Sequence, residues 1–211
     1  MNPVSLLQPA SMMENLFGRV IHYSKKEVVY QPFSLSKHLY LIESGKIKLY
    51  KNSEDGRKTL LIVLGAGDIF SNIPSLSLDE EGVYAETIES TALRMVSHKQ
   101  VDSLKVTHSM AVTEIYSALN QQMKQRNLFM ERIIHAPVKE RILCLLSFLM
   151  KRFGERQENL IKIDVPLTHQ DIASFIGSTR ETVTSLTKEL ITEGHIQKVD
   201  KYYMLKGTDL N

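Results

Sequence analysis

Cysteine is almost missing from this chain: there is one, Cys144, in 211 residues. A single thiol excludes an intrachain disulfide framework and a four-cysteine iron–sulfur cluster within one chain. Long apolar runs are missing too. The longest, Ile142 to Met150, is interrupted by Ser147 and falls far short of the ~20 residues that span a bilayer. Charge of one sign is not in excess: 26 basic against 24 acidic side chains leave a formal net charge of +2. So small a bias does not by itself name a nucleic-acid partner. No basic stretch followed by an apolar run and a small-residue cleavage site opens the chain, so no signal peptide is expected. What is present, 43 % hydrophobic and 24 % charged residues, is the composition of a globular protein. The expectation is a soluble cytoplasmic protein with no membrane partner.

Three zones differ in texture. Residues 1–107 hold short apolar runs such as Val28-Val29-Tyr30, Leu39-Tyr40-Leu41-Ile42, Ile47-Lys48-Leu49-Tyr50 and Thr59 to Leu64. Ser44-Gly45, Asp55-Gly56 and Gly65-Ala66-Gly67-Asp68 cut them apart. β-branched and aromatic residues bounded by Gly, Asp and Ser read as strands and hairpins, and their number suggests a sandwich, jelly roll or barrel. Residues 108–136 contain neither Pro nor Gly and read as one long helix. Two overlapping rows on it alternate three and four residues apart. One is Val112, Ile115, Leu119, Gln122, Arg126, Phe129 and Ile133. The other is Tyr116, Leu119, Met123, Arg126, Met130 and Ile133. Such a row suits a seam between two helices of a homodimer, or a helix packed on its own domain's core. Gln122 and Arg126 need partners if buried. Residues 137–211 open on Pro137, which suits a helix's first turn, and Ile142 to Met150 reads as a buried helix with Cys144 as a small hydrophobe inside it. Net charge by zone is 0, +1 and +1, so any nucleic-acid affinity must come from where charges are placed.

The most specific segment runs from Leu167 to Leu190. Thr168 with Asp171 three residues on marks a helix start, and Ile172, Ala173, Phe175 and Ile176 give that helix an apolar face. Gly177 supplies a tight turn. Ser178 followed by Glu181 starts a second helix, with Val183, Leu186, Leu190 and Ile191 expected inward. Thr179, Arg180, Glu181, Thr184, Ser185 and Lys188 lie on its polar side. Next, Gln197-Lys198-Val199 and Tyr202-Tyr203-Met204-Leu205 read as a hairpin turning at Asp200-Lys201. Two short helices about a glycine, followed by a hairpin, form a winged helix-turn-helix. Arg180 suits guanine and Glu181 suits cytosine, while Thr168 and Thr179 suit phosphates. His169, Gln170 and Lys201 complete the expected DNA contacts. Glu181 has a second reading, capping with Ser178.

These residues carry a resemblance. Leu167-Thr168-His169-Gln170-Asp171-Ile172-Ala173 and Ser178-Thr179-Arg180-Glu181-Thr182-Val183 closely resemble the helix-turn-helix of the cyclic-AMP receptor protein and fumarate-nitrate reduction regulator superfamily. Gly45, Asp55-Gly56 and Gly67-Asp68 resemble the turns of its N-terminal β-roll. The resemblance covers nearly the whole chain and implies an α+β fold: an antiparallel β-roll of jelly-roll type, a long central dimerisation helix and a C-terminal winged helix-turn-helix. It implies a homodimer on a two-fold operator with TGTGA-like half-sites about 34 Å apart, and RNA polymerase as a further partner. Ser185 stands where the receptor pattern has a second arginine, so the half-site is expected to be relaxed or altered at one position.

The chain departs from that pattern in its sensor. The ribose-binding Gly-Glu-Leu is replaced by Ser71-Asn72-Ile73, and the phosphate-binding Arg-Ser region reads Glu81-Gly82-Val83-Tyr84. An acid where a cation is needed argues against cyclic AMP. The resemblance places an effector of unknown identity near Ser71, Asn72, Arg126 and Asn127; Arg126 reads equally well as one half of an ion pair across the seam. His22, His38, His98 and His108 show no spacing that marks haem or metal, and no cofactor is expected. No Ser-His-Asp set, P-loop or paired carboxylates stand out, so an enzyme is not expected. The competing function is a small-molecule signalling module whose C-terminal domain makes protein contacts.

Overall fold

The computed structural model describes residues 18–35, 37–72 and 82–206, without the side chains of 105–107. Ile73 and Glu81, on which the argument against cyclic AMP partly turns, lie outside the described residues. Two compact units make up the chain. One holds the described residues up to Gly56 and Leu61 to Gln125; the other holds Arg57–Leu60 and the described residues from Arg126 onward.

The first unit is an antiparallel β-roll. Its strands are β1 (Val20–Tyr23), β2 (Val28–Tyr30), β3 (His38–Ser44), β4 (Lys46–Asn52), β5 (Lys58–Gly65), β6 (Ile69–Ser71), β7 (Val83–Thr87) and β8 (Thr91–Ser97). They form two four-stranded sheets, ordered β1-β8-β3-β6 and β2-β7-β4-β5. The apolar run of β3 is buried on both faces. Tyr40 and Ile42 point into the roll with Leu49, Ile62, Leu64, Phe70 and Leu93. Leu39 and Leu41 point the other way, onto Ile69, Val96, Val101, Ile115 and Leu119. A period of two sends alternate residues to two different cores, which is why this strand reads as continuous apolar sequence. At the β3–β4 turn Gly45 has φ +87°, and a Cβ there would lie 2.5 Å from Thr91 Oγ1 and 2.6 Å from the Ser90 carbonyl oxygen. Only glycine fits that approach.

Two helices follow, α1 (His98–Thr107) and the 25-residue α2 (Ser109–Ile133). The first of the two rows on α2 packs on its own chain. Ile115 and Leu119 lie in the β-roll cluster. Gln122 is buried, and so are Phe129 and Ile133. Phe129 meets Phe148 at 5.0 Å and Phe175 edge-on at 5.5 Å within the second unit. Those five side chains are therefore covered by the chain itself. Val112 and Arg126 are half-buried. Tyr116, Met123 and Met130, which distinguish the other row, remain about two-fifths exposed at 39 %, 41 % and 44 %.

The second unit contains α3 (Val138–Phe153), β9 (Gly154–Gln157), β10 (Leu160–Ile163), α4 (His169–Ile176), α5 (Arg180–Thr192), β11 (Gln197–Val199) and β12 (Tyr202–Lys206). On α3, Ile142, Leu145, Leu146, Leu149 and Met150 are buried, whereas Leu143, Cys144 and Phe148 are half-buried. The helix is thus one-sided rather than buried all round. The four strands make one sheet, β11-β12-β10-β9.

Candidate nucleic-acid interface

Local chemistry builds the two helices. Thr168 closes a reciprocal cap on α4: its hydroxyl accepts from the Asp171 amide at 3.1 Å, and its own amide donates to Asp171 Oδ2 at 2.9 Å. The buried stripe is Ile172, Ala173, Phe175 and Ile176. Gly177 ends the helix in the left-handed region at φ +65°, donating to the Ala173 carbonyl. The Arg141 guanidinium donates to the carbonyls of Ala136 at 2.7 Å and Ile176 at 3.2 Å, which ties α3 to the end of α4.

The second helix starts one residue later than its sequence suggests. Thr179, not Ser178, is the cap, accepting from the Thr182 amide at 3.2 Å. Glu181 is therefore no capping partner of Ser178 and stands exposed in the first turn. The inward row is Val183, Thr187 and Leu190. Leu186 is half-buried, and Ile191, expected inward, is 39 % exposed. Positions 183, 187 and 190 are neighbours on one helix face, while 191 is rotated a further ~100° away.

The polar side is open. Arg180, Glu181, Ser185 and Lys188 are exposed, as are Thr168, Gln170 and Thr179, and Thr184 is half-buried. The wing turns as expected, with Asp200 at φ +54° and Lys201 exposed at its tip. The Lys201 carbonyl accepts from the Leu167 amide at 2.8 Å. That bond sets the wing tip beside the start of α4.

His169 joins the pieces. Its Nδ1 lies 2.8 Å from Thr184 Oγ1 on α5, and its Nε2 lies 2.9 Å from Lys198 Nζ on β11. Burial holds the imidazole below its ordinary pKa, helped by the charges of Lys198, Arg180 and Lys188. Burial also lowers Lys198. Two acidic groups are paired at the far end of α5: Lys139 pairs with Glu189, and with Glu193 at 2.8 Å. Arg180 and Lys188 on α5 and Lys198 on β11 are the charges that act on the His169 ring, with Glu181 exposed beside Arg180 in the first turn.

Sequence reading missed Lys198, which lies 29 residues from its histidine partner. It also missed the β9–β10 hairpin that extends the wing sheet. The short aliphatic run Leu160-Ile161-Lys162-Ile163 directly after Asn159 was the available signal for that hairpin.

The expected effector residues have other engagements. Ser71 is buried and donates to the His38 carbonyl at 3.0 Å, and Asn72 Oδ1 accepts from the His38 amide at 2.7 Å. Both fasten the β3–β6 edge. Arg126 and Asn127 belong to the other unit.

Residues 20–108 match the family model described as a cyclic nucleotide-binding domain, and residues 140–210 match the Crp-like helix-turn-helix domain. A CRP-like cAMP-activated global transcriptional regulator of Mycobacterium tuberculosis is 25 % identical over 192 residues, 90 % of this chain and 84 % of that protein. The global nitrogen regulator of Synechocystis is 24 % identical over 181 residues, 85 % of this chain and 80 % of its own. Among solved structures, the c-di-GMP responsive global regulator of Xanthomonas campestris superposes with a TM-score of 0.75 at 21 % identity, over 93 % of this chain and 97 % of its own. A CRP-family regulator of Thermus thermophilus gives 0.74 at 22 %, over 90 % and 96 %.

Proposed function

The chain belongs to the superfamily of the cyclic-AMP receptor protein and the fumarate-nitrate reduction regulator and is a transcription regulator with a helix-turn-helix DNA-binding domain; we propose that it works as a homodimer on a two-fold operator, without cyclic AMP. The observation that carries this reading is the exposed polar face of α5, where Arg180, Glu181, Ser185 and Lys188 are open and α4 packs alongside through the His169–Thr184 contact. In the major groove Arg180 and Glu181 read a G·C-containing half-site, with Thr184 and Ser185 beside them. Thr168, Gln170, Thr179, Lys188 and Lys201 reach phosphates and fix the register, with His169 behind them. The TGTGA-like half-site is altered at the position that Ser185 faces.

Dimerisation uses the side chains of the second α2 row that its own chain leaves uncovered. Tyr116, Met123 and Met130 are exposed and seven residues apart, the repeat of a two-helix seam. Function then divides into residues 1–107 as sensor, 108–136 as dimerisation helix and 137–211 as DNA reader. The sensor takes a small-molecule effector other than cyclic AMP, and RNA polymerase is the downstream partner in the cytoplasm. The activity is binding, not catalysis.

A fluorescence-anisotropy titration tests this at fixed salt. A duplex with two TGTGA-like half-sites, varied at the position facing Ser185, is compared with a scrambled duplex. The expected result is a specific affinity about 10³-fold or more above the scrambled one, unchanged by cyclic AMP. Equal affinity for all duplexes would favour the signalling module whose C-terminal unit binds protein.

A further inference from the structure

Lys198 Nζ, His169 Nε2, His169 Nδ1, Thr184 Oγ1 and the Arg180 carbonyl form one chain of contacts, at 2.9, 2.8 and 2.7 Å. Its polarity follows from the donor inventory alone. An ammonium only donates, so His169 Nε2 must accept. A neutral imidazole that accepts at Nε2 carries its proton on Nδ1. That N–H donates to Thr184 Oγ1. The threonine has one hydroxyl proton, and the Arg180 carbonyl takes it at 2.7 Å. Of its two lone pairs, one is used by His169. What remains for a ligand is a single acceptor lone pair and a methyl group.

From this we infer that His169, oriented by Lys198, locks Thr184 as an acceptor, so that this position of the recognition helix selects a base carrying an exocyclic amine. Adenine offers N6 and cytosine N4 as donors in the major groove, whereas guanine presents N7 and O6 and thymine O4, all acceptors. A free threonine hydroxyl rotates and serves either kind, so the selectivity belongs to the chain of bonds and not to threonine. His169 and Lys198 are positioning residues here: they act through Thr184. The lock also survives protonation of the ring, since the imidazolium keeps its Nδ1–H; only the Lys198 contact is lost. This inference rests on α5 being the DNA-reading helix.

Two measurements test it. Long-range 1H–15N correlation of His169 in the free protein reads the lock without DNA. The Nδ1–H tautomer is expected at pH 7.5, and a shift toward Nε2–H in Lys198→Met; an Nε2–H tautomer in the wild type overturns the proposal. The second uses the duplex retained by the wild type from a random pool, with each half-site position replaced in turn by the four bases. At one position adenine or cytosine should be preferred about two- to tenfold, the worth of one hydrogen bond. Thr184→Val and His169→Phe should flatten that position and leave the others unchanged. A preference that survives in either variant, or a guanine or thymine at the position Thr184→Val flattens, overturns the lock. A uniform loss across all positions in His169→Phe makes the histidine merely structural and also overturns it. A wild type that retains no sequence contradicts the DNA-reading assignment itself, while the tautomer still decides the lock.

Discussion

Gln122 on α2 donates to Asp68 Oδ1 at 3.3 Å, while the other oxygen of that carboxylate accepts from the Gly65 amide at 2.7 Å. One side chain thus braces the 65–68 turn, and a helix residue more than fifty positions away holds the brace. Gln122 is buried, and the amide-to-carboxylate bond accounts for a polar residue inside an apolar row. Gln122→Glu replaces the donor by a second carboxylate. Stability at pH 7 should fall by about 1–3 kcal/mol or more, with much of the loss recovered near pH 4 as the pair takes up a proton. Urea denaturation at the two pH values checks this; an equal loss at both would remove the like-charge explanation.

The caps make opposite forecasts for adjacent hydroxyl residues. Thr179→Ala removes the acceptor of the Thr182 amide and should cost about 1 kcal/mol. Ser178→Ala leaves that cap intact and should stay within about 0.5 kcal/mol of the wild type. Thermal or chemical unfolding of the two variants distinguishes them, and the reverse ranking would move the helix start back to Ser178.

Acid should destabilise the fold through His169. Its folded pKa is lowered from the ordinary 6.5, so the unfolded chain takes up its proton at a higher pH than the folded one. Between the two values the unfolded state binds more protons, and stability falls as pH drops below about 6.5. Burial lowers His38 in the same direction, so His169→Phe should remove only part of the slope. Denaturation midpoints at pH 7.5 and 5.5 report it; a variant with the full wild-type slope would contradict the assignment.

Base and phosphate contacts should separate by mutation. Arg180→Ala should cost about 1–3 kcal/mol at one base pair and relax specificity there. Lys201→Ala should weaken all sequences alike and make the salt dependence shallower. Titrations of operator variants at two salt concentrations distinguish the two, and a uniform loss for Arg180→Ala would make it a phosphate contact.

What was legible in the sequence was local. The Thr168–Asp171 cap, the left-handed Gly177 and the Asp200-Lys201 turn each depend on residues within four positions of one another, so spacing alone reveals them. The roll's strands were legible because β-branched runs stop at Gly and Asp. What was not legible depends on distant partners. Both rows of α2 carry the same spacing, and the β-roll cluster around Leu39 and Val96 decides that Ile115 and Leu119 turn inward. Ser178 and Thr179 are both hydroxyl residues with a polar group three positions on, and backbone geometry chooses between them. The His169–Lys198 contact spans α4 and β11, so no local pattern could announce it.

The most direct measurement passes a random duplex pool over the purified, ligand-free protein at fixed salt and sequences what is retained. The account predicts a two-fold symmetric sequence with half-sites about one helical turn apart, enriched by the wild type and lost position by position when Arg180 or Glu181 is replaced. Retention without any shared sequence, in the presence of cell extract as well as in its absence, would contradict a sequence-reading role for α5.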